Sequence, residues 1–184
     1  MISVVNYYMQ KHLWAVLCLF SLLMACKGPT IIHKDGLAFV EIGDPMPAQD
    51  LEWFYGFPIE DTLFSADGFQ WQGANIQLDS GRVVLESDFE GNKTVNRIRV
   101  ESEALKTRKK LSVGMQVSDL LQKSKRWQIY YLENYQLLDV SSKRQPSVHY
   151  LVREPKIEAA RLKDPGLQLE DLSPEAQIVA IVVM

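Results

Sequence analysis

Gln177-Ile178-Val179-Ala180-Ile181-Val182-Val183 is a run with apolar residues at both odd and even positions. Successive side chains of a strand point to opposite faces, so a strand of this composition is one buried on both sides. It is expected in the interior of a sheet, and its loss is expected to unfold the domain. A second stretch, Thr94-Val95-Asn96-Arg97-Ile98-Arg99-Val100, matches it. There Arg97 and Arg99 fall on one face and Ile98 and Val100 on the other, the pattern of a sheet wet on one side. The two strands read as the ends of two copies of one unit, with the C-terminal strand lying where the two sheets meet.

The beginnings of the copies also match. Val40-Glu41-Ile42-Gly43-Asp44-Pro45-Met46-Pro47-Ala48-Gln49-Asp50-Leu51 lines up, with a two-residue gap, on Leu111-Ser112-Val113-Gly114-Met115-Gln116-Val117-Ser118-Asp119-Leu120. Each is an apolar strand end, a glycine turn and a short helix carrying Asp-Leu. Pro47 suits a first helical turn, and Val117, Leu120 and Leu121 give the second helix one apolar side. Between these landmarks, Asn75–Leu78 and Arg82–Glu86 flank Asp79-Ser80-Gly81 and predict a hairpin. Glu90-Gly91-Asn92 is the next turn. In the second copy the strands are 127–132, 136–140 and 148–152, with Glu133-Asn134-Tyr135 turning between the first two and an insertion over 156–173. The separation of Gly43 and Gly114 is too long for a solenoid unit. The expected fold is therefore α+β: two αβ repeats, residues 37–105 and 106–184, mainly antiparallel sheet with short helices packed on one face. Whether the repeats share one continuous sheet stays open.

Ahead of the repeats, Lys11 and His12 precede an apolar run from Leu13 that ends in Leu23-Met24-Ala25-Cys26. The run is shorter than the roughly 20 residues a membrane-spanning helix needs, and it has the layout of a secretory signal. It resembles a bacterial lipoprotein signal with its lipobox. The resemblance implies removal of residues 1–25, a diacylglycerol on the Cys26 thiol and a tether over 26–36. Two or three acyl chains, each worth about 0.8 kcal/mol per buried methylene, make a lasting anchor. The implied location is the cell envelope, with the protein lipid-anchored to a membrane; the outer membrane, facing the periplasm, is expected, although Lys27 after the cysteine does not settle which membrane or leaflet receives it. Residues 1–8 carry no charge, which points to a start at Met9; the lipobox reads the same from either start.

Composition narrows the function further. Of two cysteines, Cys18 leaves with the signal and Cys26 is taken by lipid, so stability must come from packing rather than disulfides. The net charge of −3 gives no electrostatic case for nucleic acid. His33 and His149 are the only histidines beyond the signal, so no metal site is expected. No Gly-x-Ser-x-Gly elbow occurs, His149 sits in an expected strand, and the neighbours Glu60-Asp61 and Glu170-Asp171 would point to opposite strand faces. No catalytic residue, enzymatic activity or cofactor is expected.

The glycine turns, the Asp-Leu helices and the strand order resemble the small lipoprotein of the outer-membrane β-barrel assembly machine. Two such units in tandem also look like the β-lactamase-inhibitor-protein architecture. The resemblance implies helices on one face of a curved antiparallel sheet, with the other face or its loops binding a partner protein. Gly43-Asp44-Pro45-Met46 departs from the Gly-Met of the pattern, and the insertion lies outside it.

Two sets of residues are candidates for recognition. Aromatic rings cluster in Trp53-Phe54-Tyr55-Gly56-Phe57 and in Trp127, Tyr130, Tyr131 and Tyr135. Trp53, Phe54 and Trp127 are expected in the core, and Tyr55, Phe57, Tyr130, Tyr131 and Tyr135 on a partner-binding surface, because large rigid rings bury area at little entropic cost. Lys106, Arg108, Lys109 and Lys110, with Lys123, Lys125 and Arg126 soon after, form a basic run suited to anionic lipid head groups; a solvated linker is the plain alternative. The expected function is a non-enzymatic protein-binding module of the cell envelope, held to the membrane through Cys26 and contacting another envelope protein. The alternative is a carrier or sensor of a small apolar ligand or lipid.

Overall fold

The computed structural model describes residues 31–66, 68–88, 90, 93–124 and 126–184. The signal, Cys26 and the first part of the tether lie outside the described residues, as do Gly91 and Asn92 of the expected turn. Four two-residue strands open the chain: β1 (Ile31–Ile32), β2 (Gly36–Leu37), β3 (Val40–Glu41) and β4 (Trp53–Phe54). Longer elements follow as β5 (Phe57–Ala66), β6 (Phe69–Leu78), β7 (Gly81–Glu86), β8 (Arg97–Ser102), the short β9 (Lys106–Thr107), helix α1 (Val117–Lys123), β10 (Trp127–Leu132), β11 (Leu137–Ser142), β12 (Gln145–Arg153), helix α2 (Ala159–Leu162) and β13 (Gln177–Val183). Nine strands form one antiparallel sheet in the order β10-β11-β12-β13-β8-β7-β6-β5-β4. The fold is α+β, dominated by sheet.

β13 lies inside the sheet, as its composition requires. It pairs with β12 on one side and on the other with β8, through Ile181 opposite Val100, Val182 opposite Arg99 and Val183 opposite Ile98. The two stretches that match in sequence thus meet side by side, and strands from 37–105 and 106–184 share one continuous sheet. Alternation in β8 is as expected: Ile98 and Val100 are fully buried while Arg97 and Arg99 face the other way.

The glycine turns are held by the same bonds at matching positions. Gly43 N–H donates to the Val95 carbonyl and Gly114 N–H to that of Ile178, each at 2.8 Å. The Val95 and Ile178 amides return bonds to the Asp44 and Met115 carbonyls, and Met46 and Val117 donate to Lys93 and Ala176. Both glycines have positive φ, +92° and +84°, which a side chain would resist.

Beyond that point the segments diverge. Val117 and Leu120 are buried in α1, whose first turn is tied by the Gln116 N–H to Asp119 Oδ2 at 3.2 Å. The helix expected near Pro47–Leu51 does not form. Asp44 and Met46 each precede a proline, which biases them out of the helical region, and Leu51 is exposed, so no apolar face would be buried in return. The hairpin around Asp79 does form, but Leu78 pairs with Gly81, so the connection is Asp79-Ser80 alone. Gly81 is needed for a different reason: a Cβ there would stand 2.0 Å from the Glu101 carbonyl oxygen of β8.

One face of the sheet is covered by a layer of short segments. Ile32, Leu37, Val40, Leu105, Leu111, Val117 and Leu120 pack down onto Ile76, Val83, Leu85, Ile98, Leu138, Val140, Val152, Ile178 and Ile181. The insertion joins this layer through Leu162, Leu167, Leu169 and Leu172, all buried. Its two ends are fastened by the Glu154 carboxylate, which accepts the Lys156 amide at 2.8 Å and the Ser173 amide at 2.7 Å. The expected helical cover is mostly irregular chain, because the layer is built from many short apolar anchors rather than long amphipathic runs. The basic run is not a linker: Lys106–Thr107 pairs in parallel with β1, and Lys110 donates to Thr107 in a tight turn.

Candidate functional site

The uncovered face of the sheet carries polar side chains from its central strands. Glu86, almost fully buried, accepts from Trp71 Nε1 at 3.3 Å and Arg97 Nη1 at 3.4 Å. Glu101 is shared by Arg82 at 2.7 Å and Arg99 at 3.2 Å. On the far side of β13, His149 Nδ1 meets Asp139 Oδ1 at 2.8 Å. The pair could orient an imidazole, but among the described residues no hydroxyl is hydrogen-bonded to the ring, so the arrangement needed to activate a nucleophile is incomplete. No group of three potential metal ligands occurs among the described residues. A cleft of about 280 Å³ on this face is lined by Leu132, Tyr135, Leu137, Leu151, Val182 and Met184, with Arg97, Arg99, Asp139 and His149 at its polar side.

Aromatic rings stand out at two places. In the first, Phe54 pairs with Phe57 across the two-residue turn Tyr55-Gly56, whose φ values of 50° and 83° are those of a tight hairpin turn. Phe39 gathers the corner, with ring centroids 6.4 Å from Phe54 and 5.9 Å from Phe57. Trp53 and Tyr55 remain 61% and 71% exposed. The expectation of a buried Trp53 is therefore wrong: it lies on a two-residue edge strand, and the covering layer does not reach it. Phe57 is only partly exposed and packs on Phe39, as does Phe54.

The second place is β10, the other edge of the sheet. Trp127, Ile129 and Tyr131 lean on the core, with Trp127 edge-on to the Tyr150 ring at 5.8 Å. Tyr130 therefore points out, and it is 58% exposed; Tyr135, in the short turn after the strand, is 69% exposed. Tyr131 is only partly exposed, contrary to the expectation, because strand alternation gives the outward position to Tyr130. A cleft of about 490 Å³ runs between this edge and the insertion, walled by residues 127–131 on one side and by Leu162, Lys163, Asp164, Pro165 and Gln168 on the other. Lys163 Nζ bonds Glu133 at 2.6 Å across one end.

A third concavity, of about 680 Å³, is basic. Lys34 of the β1–β2 connection, Arg108 and Lys109 of the turn after β9, Lys123 and Arg126 at the end of α1 and Arg144 of the β11–β12 hairpin line it. Arg108 and Lys109 were legible as candidates in the basic run. Lys106 and Lys110 are exposed but do not line the concavity; Lys123 and Arg126, named with the run, do, Lys125 lies outside the described residues, and Lys34 and Arg144 join them from segments far apart in sequence. Lys109 Nζ sits 5.7 Å from the Trp127 ring centroid.

No protein-family model matches the chain, and no curated protein is similar to it. Among solved structures, the fold is similar to the crystal structure of the uncharacterized protein yfeY from Escherichia coli, with a TM-score of 0.62 and 14% sequence identity. The match covers 84% of this chain and 99% of that one.

Proposed function

We propose that the chain is a lipid-anchored protein of the cell envelope that binds another envelope protein without catalysing a reaction. The observation that carries the reading is the exposure of Trp53, Tyr55, Tyr130 and Tyr135 on the two edges of a single sheet. Rings of this size left in water are the side chains that most often anchor a protein interface. The β10 side is the better docking surface, because the cleft beside it offers both a strand edge and a polar far wall. Lipidation at Cys26 and the cleaved signal belong to the same proposal and are supported by the lipobox; the outer membrane, facing the periplasm, is the location proposed with them.

The experiment is a pull-down of the acylated wild type and a Tyr130→Ala/Tyr135→Ala variant from their own cell, read by mass spectrometry. One or more envelope proteins lost in the variant is the expected result. An unchanged partner set, or none, rejects it.

The size of the 490 Å³ cleft, lined in part by Trp127, Tyr130 and Tyr131, favours a second reading, a carrier of a small ligand. Glu133, Lys163 and Asp164 in its walls argue against an apolar one. Saturable binding of a fluorescent fatty acid, lost in a Tyr130→Ala variant, would decide for the carrier.

We also infer that the two halves are copies of one unit. The matched amide bonds of the Gly43 and Gly114 turns support this. So does the strand order, in which β5 to β8 and β10 to β13 are two four-strand meanders joined along their last strands.

A further inference from the structure

We propose that the concavity lined by Lys34, Arg108, Lys109, Lys123, Arg126 and Arg144 docks on anionic phospholipid head groups of the membrane that carries the anchor. The proposal rests on the anchored reading and deepens it. Three observations converge. First, the chain as a whole is acidic, with a net charge of −3, yet six cations face one hollow, and among the described residues one of the six, Lys34, has a carboxylate partner, Asp35 at 3.3 Å. Such segregation costs mutual repulsion and is relieved by a multivalent anionic partner. Second, the described chain begins beside this hollow. Ile31 pairs with Lys106, two residues before Arg108, and the Lys34 carbonyl is pinned by the Ser147 hydroxyl at 2.8 Å. Between Cys26 and Ile31 an extended chain spans at most about 18 Å, so acyl chains on Cys26 would hold this side close to the bilayer. Third, Lys109 of the hollow stands over the Trp127 ring, its Nζ 5.7 Å from the centroid, and an indole with a cation over its ring suits a membrane interface. Because the Debye length is about 8 Å at physiological salt, the cations act only at contact, which the short tether enforces.

Flotation with vesicles tests this on a chain beginning at Lys27, which keeps every described strand and helix but has no cysteine to acylate. Binding to vesicles containing phosphatidylglycerol, absent with phosphatidylcholine alone and lost as salt is raised, is expected. Lys123→Ala/Arg126→Ala/Arg144→Ala should weaken it about tenfold or more. Lys93→Ala/Arg153→Ala/Arg161→Ala, which removes the same charge from exposed positions elsewhere, should weaken it less than threefold. Equal losses in the two variants, or binding indifferent to anionic lipid, overturn the proposal. Displacement by inorganic phosphate at constant ionic strength also overturns it, in favour of a soluble anion. Failure of the anchored reading is seen separately, as absence of palmitate label on the full chain in its own cell.

Discussion

At the scale of single residues, the positions that matter most are those where the backbone or a buried charge leaves no alternative. At Gly81, with φ at +124°, a methyl group would run into the Glu101 carbonyl. Gly81→Ala should cost about 2 kcal/mol or more, read as a lower urea midpoint at unchanged slope. Glu86 is nearly inaccessible and depends on Arg97 and Trp71. Arg97→Ala should cost about 1–3 kcal/mol, and Glu86→Gln in the same background should recover part of it, because the uncompensated buried charge is then gone. Burial pushes the Tyr150 hydroxyl above its ordinary value of 10.0, against a smaller opposing pull from its hydrogen bond with Thr107. The unfolded chain therefore ionises this tyrosine first as the pH passes 10. Its contribution to stability is whole below that value and is lost above it. Alkaline unfolding followed by circular dichroism should show Tyr150→Phe losing less stability than wild type between pH 10 and 12.

Among the elements, the contrast between α1 and the segment over 47–51 separates what pattern can foretell from what it cannot. Both contain Asp-Leu after a glycine turn, but Leu120 is fully buried and Leu51 is exposed. Leu120→Ala should cost about 2–5 kcal/mol and Leu51→Ala within about 0.5 kcal/mol of nothing, in the same denaturation assay. The second helix was legible because Val117, Leu120 and Leu121 repeat at helical spacing. In the first segment the glycine motif and Pro47 point to a helix, but the prolines bias Asp44 and Met46 before them away from the helical region. β10, β11, β12 and β13 were legible to within a few residues, since each combines branched or aromatic side chains with a turn at its end. The corner at Tyr55-Gly56 is not legible in the sequence, because a turn with two positive φ values is hidden inside an aromatic run. Four members of the basic hollow, Arg108, Lys109, Lys123 and Arg126, could be read from their closeness in sequence. Lys34 and Arg144 could not, because only the three-dimensional path of the chain brings their segments to the others.

At the scale of the whole molecule, β13 makes the two halves one cooperative body. It supplies Ile178, Ile181 and Val183 to the core and bonds to both β12 and β8. A fragment of residues 31–105 should therefore lack a sigmoidal urea transition by circular dichroism, and deleting 177–184 should abolish the transition of the full chain. The apolar composition of β13 on both faces was enough to place it where the sheets of the two halves meet, without fixing β8 as its neighbour. It did not reveal that β13 and β8 would lie antiparallel, turning two meanders into a single sheet with short or cleft-flanked edges. That arrangement has a bearing on timing. The strand that locks the middle of the sheet is made by the ribosome after β1 to β12, so a nascent chain that has not reached it has an open seam between β12 and β8. Until residues 177–183 have been added, the two meanders have nothing to join them and neither can be sealed against the other.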